Sequence, residues 1–329
     1  MTDSGTRWIR GIACVVLVAC CGLVASCAKE ESQSGGQGKA LKTGKIVMGF
    51  SQIGSESDWR AANTVSIKAE AEKRGFDLRF ADAQQKQENQ IKALRSFIAQ
   101  QVDIIAFSPV VETGWEPVLR EISKAGIPVI LTDRGVDVTD HSLYVTFIGS
   151  DFIEEGRRAA KWFVDNTTGD VKVFELRGTP GASCAIDRKK GFEEAIAKEP
   201  RIKIVKSQDG NFERGRGKEV MEAFIKTKEG KAFNALFAHN DDMALGAIQA
   251  MKEAGLKPGV DIKIVSIDAV KAAFEAMIAG ELNCTVECNP LIGPQLLDLV
   301  EALIKKRLVI KEGVYDQSVA KDLIGSRKY

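Results

Sequence analysis

The sequence predicts an α/β protein built as two doubly wound parallel-sheet lobes. Short apolar runs alternate with stretches of helical period, the order that parallel neighbours need because each crossover has to span the sheet. The alternation begins again after about residue 149. At 329 residues the chain also exceeds what one core ordinarily fills. An apolar content of 44% beside 28% charged residues is that of a globular protein and argues against extended disorder.

In the first lobe, residues 46–50 form a short apolar strand, followed by a loop rich in Gly and Ser and a helix start carrying Trp59 and Arg60. Residues 61–74 read as a helix stopped by Gly75, as a glycine just past a helix commonly does. Residues 76–80 alternate apolar and polar and predict a second strand. Ile91, Leu94, Phe97 and Ile98 share one helical face within 87–100, and 104–107 is a third strand ended by Ser108 and Pro109. Trp115, Val118, Leu119 and Ile122 repeat the helical spacing as far as Gly126; both Trp115 and, later, Trp162 read as core residues. A fourth strand, 127–131, runs into Thr132, Asp133 and Arg134, and 143–148 is a fifth.

The second lobe repeats the order without repeating the sequence. Helices are predicted at 159–164, 188–197, 219–226, 243–254 and 270–278. Strands are predicted at 171–176, 202–206, 235–238, 262–267 and 284–286. A last helix, 291–305, places Ile292, Leu296, Leu299, Val300 and Leu303 on one side, and a weakly patterned tail follows from residue 308.

The first residues stand outside both lobes. Arg7 and Arg10 precede an apolar run, 11–24, that is short for a bilayer span and suits the core of an export signal. Small residues then lead to Cys27 in LVASC, a pattern that resembles a lipobox, so residues 1–26 read as a lipoprotein signal peptide and Cys27 as the lipidated residue. An ordinary secretory signal with an incidental Cys27 is the alternative. Residues 27–44, rich in Ser, Gly, Gln and Lys, have the composition of a flexible tether.

The chain carries 46 basic and 45 acidic residues; the leader takes Arg7, Arg10 and Asp3 with it and leaves the two signs equal. Such a balance argues against a nucleic-acid partner. Of seven cysteines only Cys184, Cys284 and Cys288 lie in the body, with no Cys/His grouping of metal-ligand spacing. A bridge between Cys284 and Cys288 would need a turn, because four strand steps cover roughly 13 Å and a disulfide needs Cα atoms about 5–6 Å apart. Neither His141 nor His239 has a nucleophile at motif spacing, and there is no EF-hand or P-loop signature. No cofactor and no catalytic group is expected.

The residues with chemical promise cluster at predicted strand ends, where ligands of open parallel sheets bind. They are 52–60, Asp133 with Arg134, 240–242 and Asp268, with Arg188 after a glycine-rich loop. Carboxylates, guanidinium groups and an amide in two facing lobes suit a neutral polyhydroxylated ligand, because every hydroxyl both donates and accepts. Trp59 offers an aromatic face to the C–H side of a sugar ring. Blander readings stand beside these: an exposed Asp133–Arg134 ion pair, a helix cap in Asn240-Asp241-Asp242, an N-cap at Asp58 and a turn residue at Asp268.

Taken together, GFSQ, LTDR, AIDRKKGF, AHNDDM and SID resemble the sugar-binding type I periplasmic binding proteins of ABC importers, across nearly all of residues 45–329. GSESDWRAAN, DAQQKQENQIKALRSFIAQ, PVVETGWEPVL and AIDRKKGFEEAI are closer still to the galactofuranose-binding members. The resemblance implies a three-segment hinge near residues 149, 288 and 309. It assigns 45–148 with 288–308 to an N-terminal lobe, and 149–287 with 309–329 to a C-terminal one. It implies ligand contacts at Glu56, Ser57, Asp58, Trp59, Arg60, Asp133, Arg134, Arg188, Asn240 and Asp268. Cys288 stands where ribose-type relatives often carry Gln. The implied function is capture of a monosaccharide by hinge closure and delivery to an ABC permease, by a monomer held at a membrane surface through Cys27. A sensor lipoprotein of the same fold, signalling to a membrane receptor, is the alternative.

Overall fold

A computed structural model of the chain describes residues 45–309, with side chains to residue 304. Residues 1–44, where the export signal, Cys27 and the tether are expected, and the tail from residue 310 lie outside the described residues; the third crossing expected near 309 falls at their edge, where the last helix ends at Val309.

The first half contains β1 (Val47–Gln52), α1 (Asp58–Lys73), β2 (Asp77–Asp82), α2 (Gln87–Ala99), β3 (Ile104–Phe107), α3 (Glu116–Lys124), β4 (Val129–Thr132) and β5 (Thr146–Ile148). Its five strands form a parallel sheet in the order β2-β1-β3-β4-β5. After α4 (Phe152–Asn166) come β6 (Val171–Arg177), α5 (Ser183–Ile196), β7 (Ile202–Asp209), α6 (Arg214–Ile225), β8 (Ala235–Ala238), α7 (Asp241–Glu253), β9 (Lys263–Asp268), α8 (Lys271–Ile278) and β10 (Cys284–Glu287). These strands make a second parallel sheet, β10-β9-β8-β6-β7. Two sheets that each reverse strand order beside their first strand are the two doubly wound lobes that the alternating pattern predicts.

Burial on both sheet faces explains why the strands read as continuous apolar runs. Along β3, Ile105 and Phe107 point to a core shared with Leu94, Trp115 and Leu119, whereas Ile104 and Ala106 point to one shared with Met48, Phe50 and Ile67. The second of these cores is completed from far along the chain. Leu296, Leu297, Val300 and Ile304 of α9 (Gly293–Val309) pack into it, so the chain returns to the first sheet after β10. Trp115 is fully buried, and Trp162 packs half-buried against the second lobe's core.

Several helices start before their apolar period does. Ser57 caps α1 through its hydroxyl, which accepts from the Arg60 N–H, and Asp151 caps α4 through Glu154 N–H. Helix α5 begins at Ser183 and α6 at Arg214, ahead of the 188 and 219 starts read from periodicity. The first turn of α1, Asp-Trp-Arg-Ala, borders the space between the lobes and carries charge, and the first turn of α5, Ser-Cys-Ala-Ile, is too small and mixed to show a stripe. The fifth strand is shorter than 143–148 because His141–Leu143 forms a 3-10 turn capped by Asp140.

Candidate functional site

The carboxyl ends of β1, β4, β6, β7, β8 and β9 converge on one cleft, as parallel sheets dictate. Its cavity volume is only about 20 Å³, because the facing side chains nearly fill the space between the lobes. The first lobe contributes Glu56, Ser57, Trp59, Arg60, Asp133 and Arg134. The second contributes Cys184, Arg188, Phe212, Asn240 and Asp268, and Cys288 belongs to the crossing between them. The mouth is closed: Glu112 N–H donates to the Gly181 carbonyl at 2.8 Å and Gly135 N–H to Ser183 Oγ at 3.1 Å, each from one lobe to the other.

Arg60 is held from three sides. Its Nη2 meets Asp133 Oδ2 at 2.6 Å, Nε meets Glu56 Oε1 at 3.0 Å and Nη1 meets Gln52 Oε1 at 3.2 Å. Burial opposes its charge, but the two carboxylates outweigh burial and raise its pKa. Asp133 sits at φ 60°, a left-handed conformation that Asp tolerates better than most residues and that costs strain. Asp133 and Arg134 are 7% and 2% exposed, which removes the reading of a surface ion pair. Arg134 Nη1 donates to the Val110 carbonyl at 2.9 Å, while its Nε faces Asp133 Oδ2 at 3.8 Å without a hydrogen bond; Glu56 Oε2 also makes no hydrogen bond. Two buried polar atoms on cleft residues that make no hydrogen bond are costly unless something else satisfies them.

In the second lobe Arg188 lies in the second turn of α5. Its Nε donates to Glu155 Oε2 at 2.8 Å and its Nη1 to the His239 carbonyl at 2.6 Å, while Nη2 faces Asp268 Oδ1 at 3.7 Å. Asp268, 5% exposed at the end of β9 with φ 126°, is no surface turn residue. Burial pushes its carboxyl well above the ordinary carboxylate range against the pull of Arg188. Asn240 serves twice: its Oδ1 caps α7 through Met243 N–H and its Nδ2 donates to the Phe212 carbonyl, and it still lines the cleft.

Two sequence-level assignments change. Asp58 does not line the cleft: Ser57 is the N-cap, and the Asp58 side chain is 61% exposed and paired with Arg214. Trp59 is 6% exposed, with its Nε1–H donated to the Cys288 carbonyl at 2.6 Å and the Arg60 guanidinium 4.7 Å from its ring centre. Much of the ring is therefore packing, and only part of it faces the cleft. Cys184, Cys284 and Cys288 are free thiols.

Phe212, Cys184 and Cys288 line the cleft without having been predicted as contacts, and Phe212 is the one that bridges the lobes. Its ring lies 5.1 Å from the Arg134 guanidinium carbon and 5.9 Å from that of Arg188, a cation–π bridge from one lobe to the other. It occupies a left-handed position, φ 65°, next to Asn211 at φ 57°. Gly178 makes room for it, since a Cβ there would fall 1.9 Å from the ring. The signal available was weak: GNF directly follows the observed β7, but the strand read from sequence stops at 206, three residues short of it.

Behind Arg188, the fully buried His239 ring places Nε2 3.2 Å from Glu175 Oε1, and Ser207 and Lys189 bond the other Glu175 oxygen. Burial keeps the His239 pKa below 6.5. For Glu175, burial acts to raise the pKa, but these bonds bring it down to about 2. Both groups bind a proton less readily folded than unfolded, so their stabilisation is present above the unfolded values and lost as pH falls. Melting curves are expected to shift down between pH 7 and 5 as the unfolded His239 gains its proton. A His239→Gln variant that melts with the same slope over that range would refute this role.

A family model described as "Periplasmic binding protein domain" matches residues 48–307. The galactofuranose-binding protein of Escherichia coli (strain K12) is 53% identical over 291 residues, covering 86% of this chain and 92% of that protein. The binding protein of the arabinose ABC transporter of Shewanella sp. ANA-3, solved with α- and β-L-arabinofuranose, is 52% identical with a TM-score of 0.77, covering 86% of this chain and 95% of that one. A Mycobacterium smegmatis protein solved with β-D-fucofuranose is likewise 52% identical, with a TM-score of 0.76 and the same coverage. Two doubly wound lobes, a polar cleft at their facing strand ends and relatives that are solute-binding proteins lead to one conclusion: this chain belongs to the periplasmic binding protein family and is not an enzyme.

Proposed function

We propose that this protein captures a monosaccharide in furanose form, galactofuranose or a close relative such as arabinofuranose, by closing its lobes around the sugar. The observation that carries the reading is the closed polar cleft in which Glu56 Oε2 and Arg134 Nε make no hydrogen bond to the protein, an acceptor and a donor on one wall. Arg188 and Asp268 supply the same pair of chemistries on the other. A sugar hydroxyl satisfies both kinds at once, and an analogue lacking it leaves buried charge unpaired. The furanose preference is supported by the ligands named for the relatives. Glu56, Ser57, Trp59, Arg60, Asp133, Arg134, Arg188, Asn240 and Asp268 are proposed as contacts.

The two proposed lobes are 45–148 with 288–308 and 149–287 with 309–329. The protein is proposed to act as an exported monomer, lipidated at Cys27, that hands its sugar to an ABC permease. Support for the anchor comes from the LVASC pattern, and support for the permease from the transporter named for the Shewanella relative.

The test is mass spectrometry of ligand released from purified protein, followed by calorimetric titration with D-galactose, L-arabinose, D-ribose and D-glucose and by NMR of the bound carbon-13-labelled sugar, which reads its ring form. Tight binding of galactose or arabinose as the furanose, with ribose and glucose weaker by at least tenfold, is expected from a wall that matches one pattern of hydroxyls. Trp59 emission should shift on binding, and a Trp59→Phe variant should lose the shift. Absence of heat with all four sugars would remove the assignment.

A further inference from the structure

We propose that affinity is set in part by a latch outside the cleft, formed where Asp58 of the first lobe meets Arg214 and Asp242 of the second. The proposal rests on the reading that binding proceeds by closure. Asp58 is the first residue of α1, and its N–H is one of the donors that a helix N-terminus leaves without an internal partner. Here the partner comes from the other lobe: the N–H donates to Asp242 Oδ2 at 2.9 Å. A carboxylate at that position also meets the positive end of the helix dipole. Arg214 then joins the two acids, its Nε donating to Asp242 Oδ1 at 2.9 Å and its Nη2 to Asp58 Oδ2 at 2.9 Å. One residue before Arg214, Glu213 Oε1 accepts from Gln85 Nε2 of the first lobe at 2.7 Å, which extends the line of contact.

The burial pattern separates this cluster from an ordinary surface pair. The Asp242 side chain is 5% exposed although those of Arg214 and Asp58 are 45% and 61% exposed. Opening the lobes would strip the Asp58 N–H from Asp242 and leave the carboxylate with Arg214 alone. None of the three residues lines the cleft. Their contribution therefore does not depend on which sugar is inside. It biases the open–closed equilibrium, and apparent affinity scales with the closed fraction for every ligand alike. A residue that touches sugar would instead discriminate among sugars.

The experiment uses the full chain and two readouts. Cys184 is 3% exposed in the closed cleft, so its modification by N-ethylmaleimide, followed by peptide mass spectrometry, reports opening without any ligand; Cys284, outside the cleft, serves as reference. Asp242→Asn, Arg214→Ala and Asp58→Ala are each expected to speed Cys184 modification by about three- to tenfold with Cys284 unchanged. The Asp58→Ala/Arg214→Ala double variant should go little beyond Arg214→Ala. Calorimetry with D-galactose and L-arabinose should show both weakened by one common factor. Unchanged Cys184 modification in all three variants, or a loss that differs between sugars, would overturn the latch. If modification accelerates while neither sugar binds the unaltered chain, the sugar assignment fails and the latch stands.

Discussion

Arg188→Ala is expected to weaken sugar binding about thirtyfold and to destabilise the fold at the same time. The guanidinium sits 3% exposed among Glu155, Asp268 and the His239 carbonyl. Truncation leaves two buried carboxylates without their cation, and breaking a buried charge pair from one side costs about 3–5 kcal/mol. Losing a charged donor to a sugar hydroxyl costs about 2 kcal/mol more in binding, roughly thirtyfold in Kd. The two losses separate in Arg188→Lys. A lysine restores a positive charge for Glu155 and recovers much of the stability, but it lacks the planar fork that reaches Glu155, His239 and Asp268 together. Thermal unfolding should rank alanine well below lysine and wild type, whereas calorimetry should find both variants weak. Wild-type affinity in the lysine variant would show that the fork is not what holds ligand.

Gly191→Ala is expected to cost stability without touching any charge. Helices α4 and α5 cross at backbone distance: a Cβ at Gly191 would stand 1.9 Å from the Ile153 carbonyl oxygen, and one at Gly156 would stand 2.1 Å from that of Arg188. Main-chain atoms cannot swing aside as a side-chain tip does, so the helices must part, and overpacking of this kind costs about 1–3 kcal/mol or more. Glu155 rides on one helix and Arg188 on the other, so separating them loosens their 2.8 Å bond, and sugar affinity should fall with stability. Gly215→Ala is the control. Nothing lies within 4 Å of its added Cβ, and alanine favours the helix it would join. Urea midpoints should drop for the first variant and hold or rise for the second; equal midpoints would contradict the close-crossing account.

The fold was legible because its dominant signals are local. Buried parallel strands write themselves as runs such as IIAF and ALFA, and Gly75, Gly126 and Gly255 mark helix ends. Cleft residues were legible in proportion to their distance from ordinary alternatives. Arg188, Asp268 and Asp133 are charges at strand ends or on a helix face and are fully buried, a combination with few structural uses. Asp58 was misplaced because a first-turn acid looks the same whether it meets a ligand, a dipole or an arginine of another lobe. Only the fold puts Arg214 beside it, 156 residues away. Phe212 escaped because an aromatic in a loop carries no periodicity, and its left-handed backbone depends on the space left by Gly178 in another loop.

The chain's return to the first sheet decides where the molecule can bend. Helix α1 is fastened to that return along its length: Trp59 to the Cys288 carbonyl, Asn63 to the Pro290 carbonyl at 2.9 Å, and Ser66 Oγ to the Gly293 N–H at 3.1 Å. Residues 288–293 therefore move as one body with α1 and its sheet. Across from them the links are sparse: the Cys288 N–H reaches the Asp268 carbonyl at 3.4 Å, and its sulfur reaches Ser150 Oγ at 3.5 Å. In the proposed closure, rotation between the lobes therefore runs, among the described crossings, along a line through Cys288 and Ser150. On that reading Cys288 is the fulcrum, and the second lobe is the lever that turns on it.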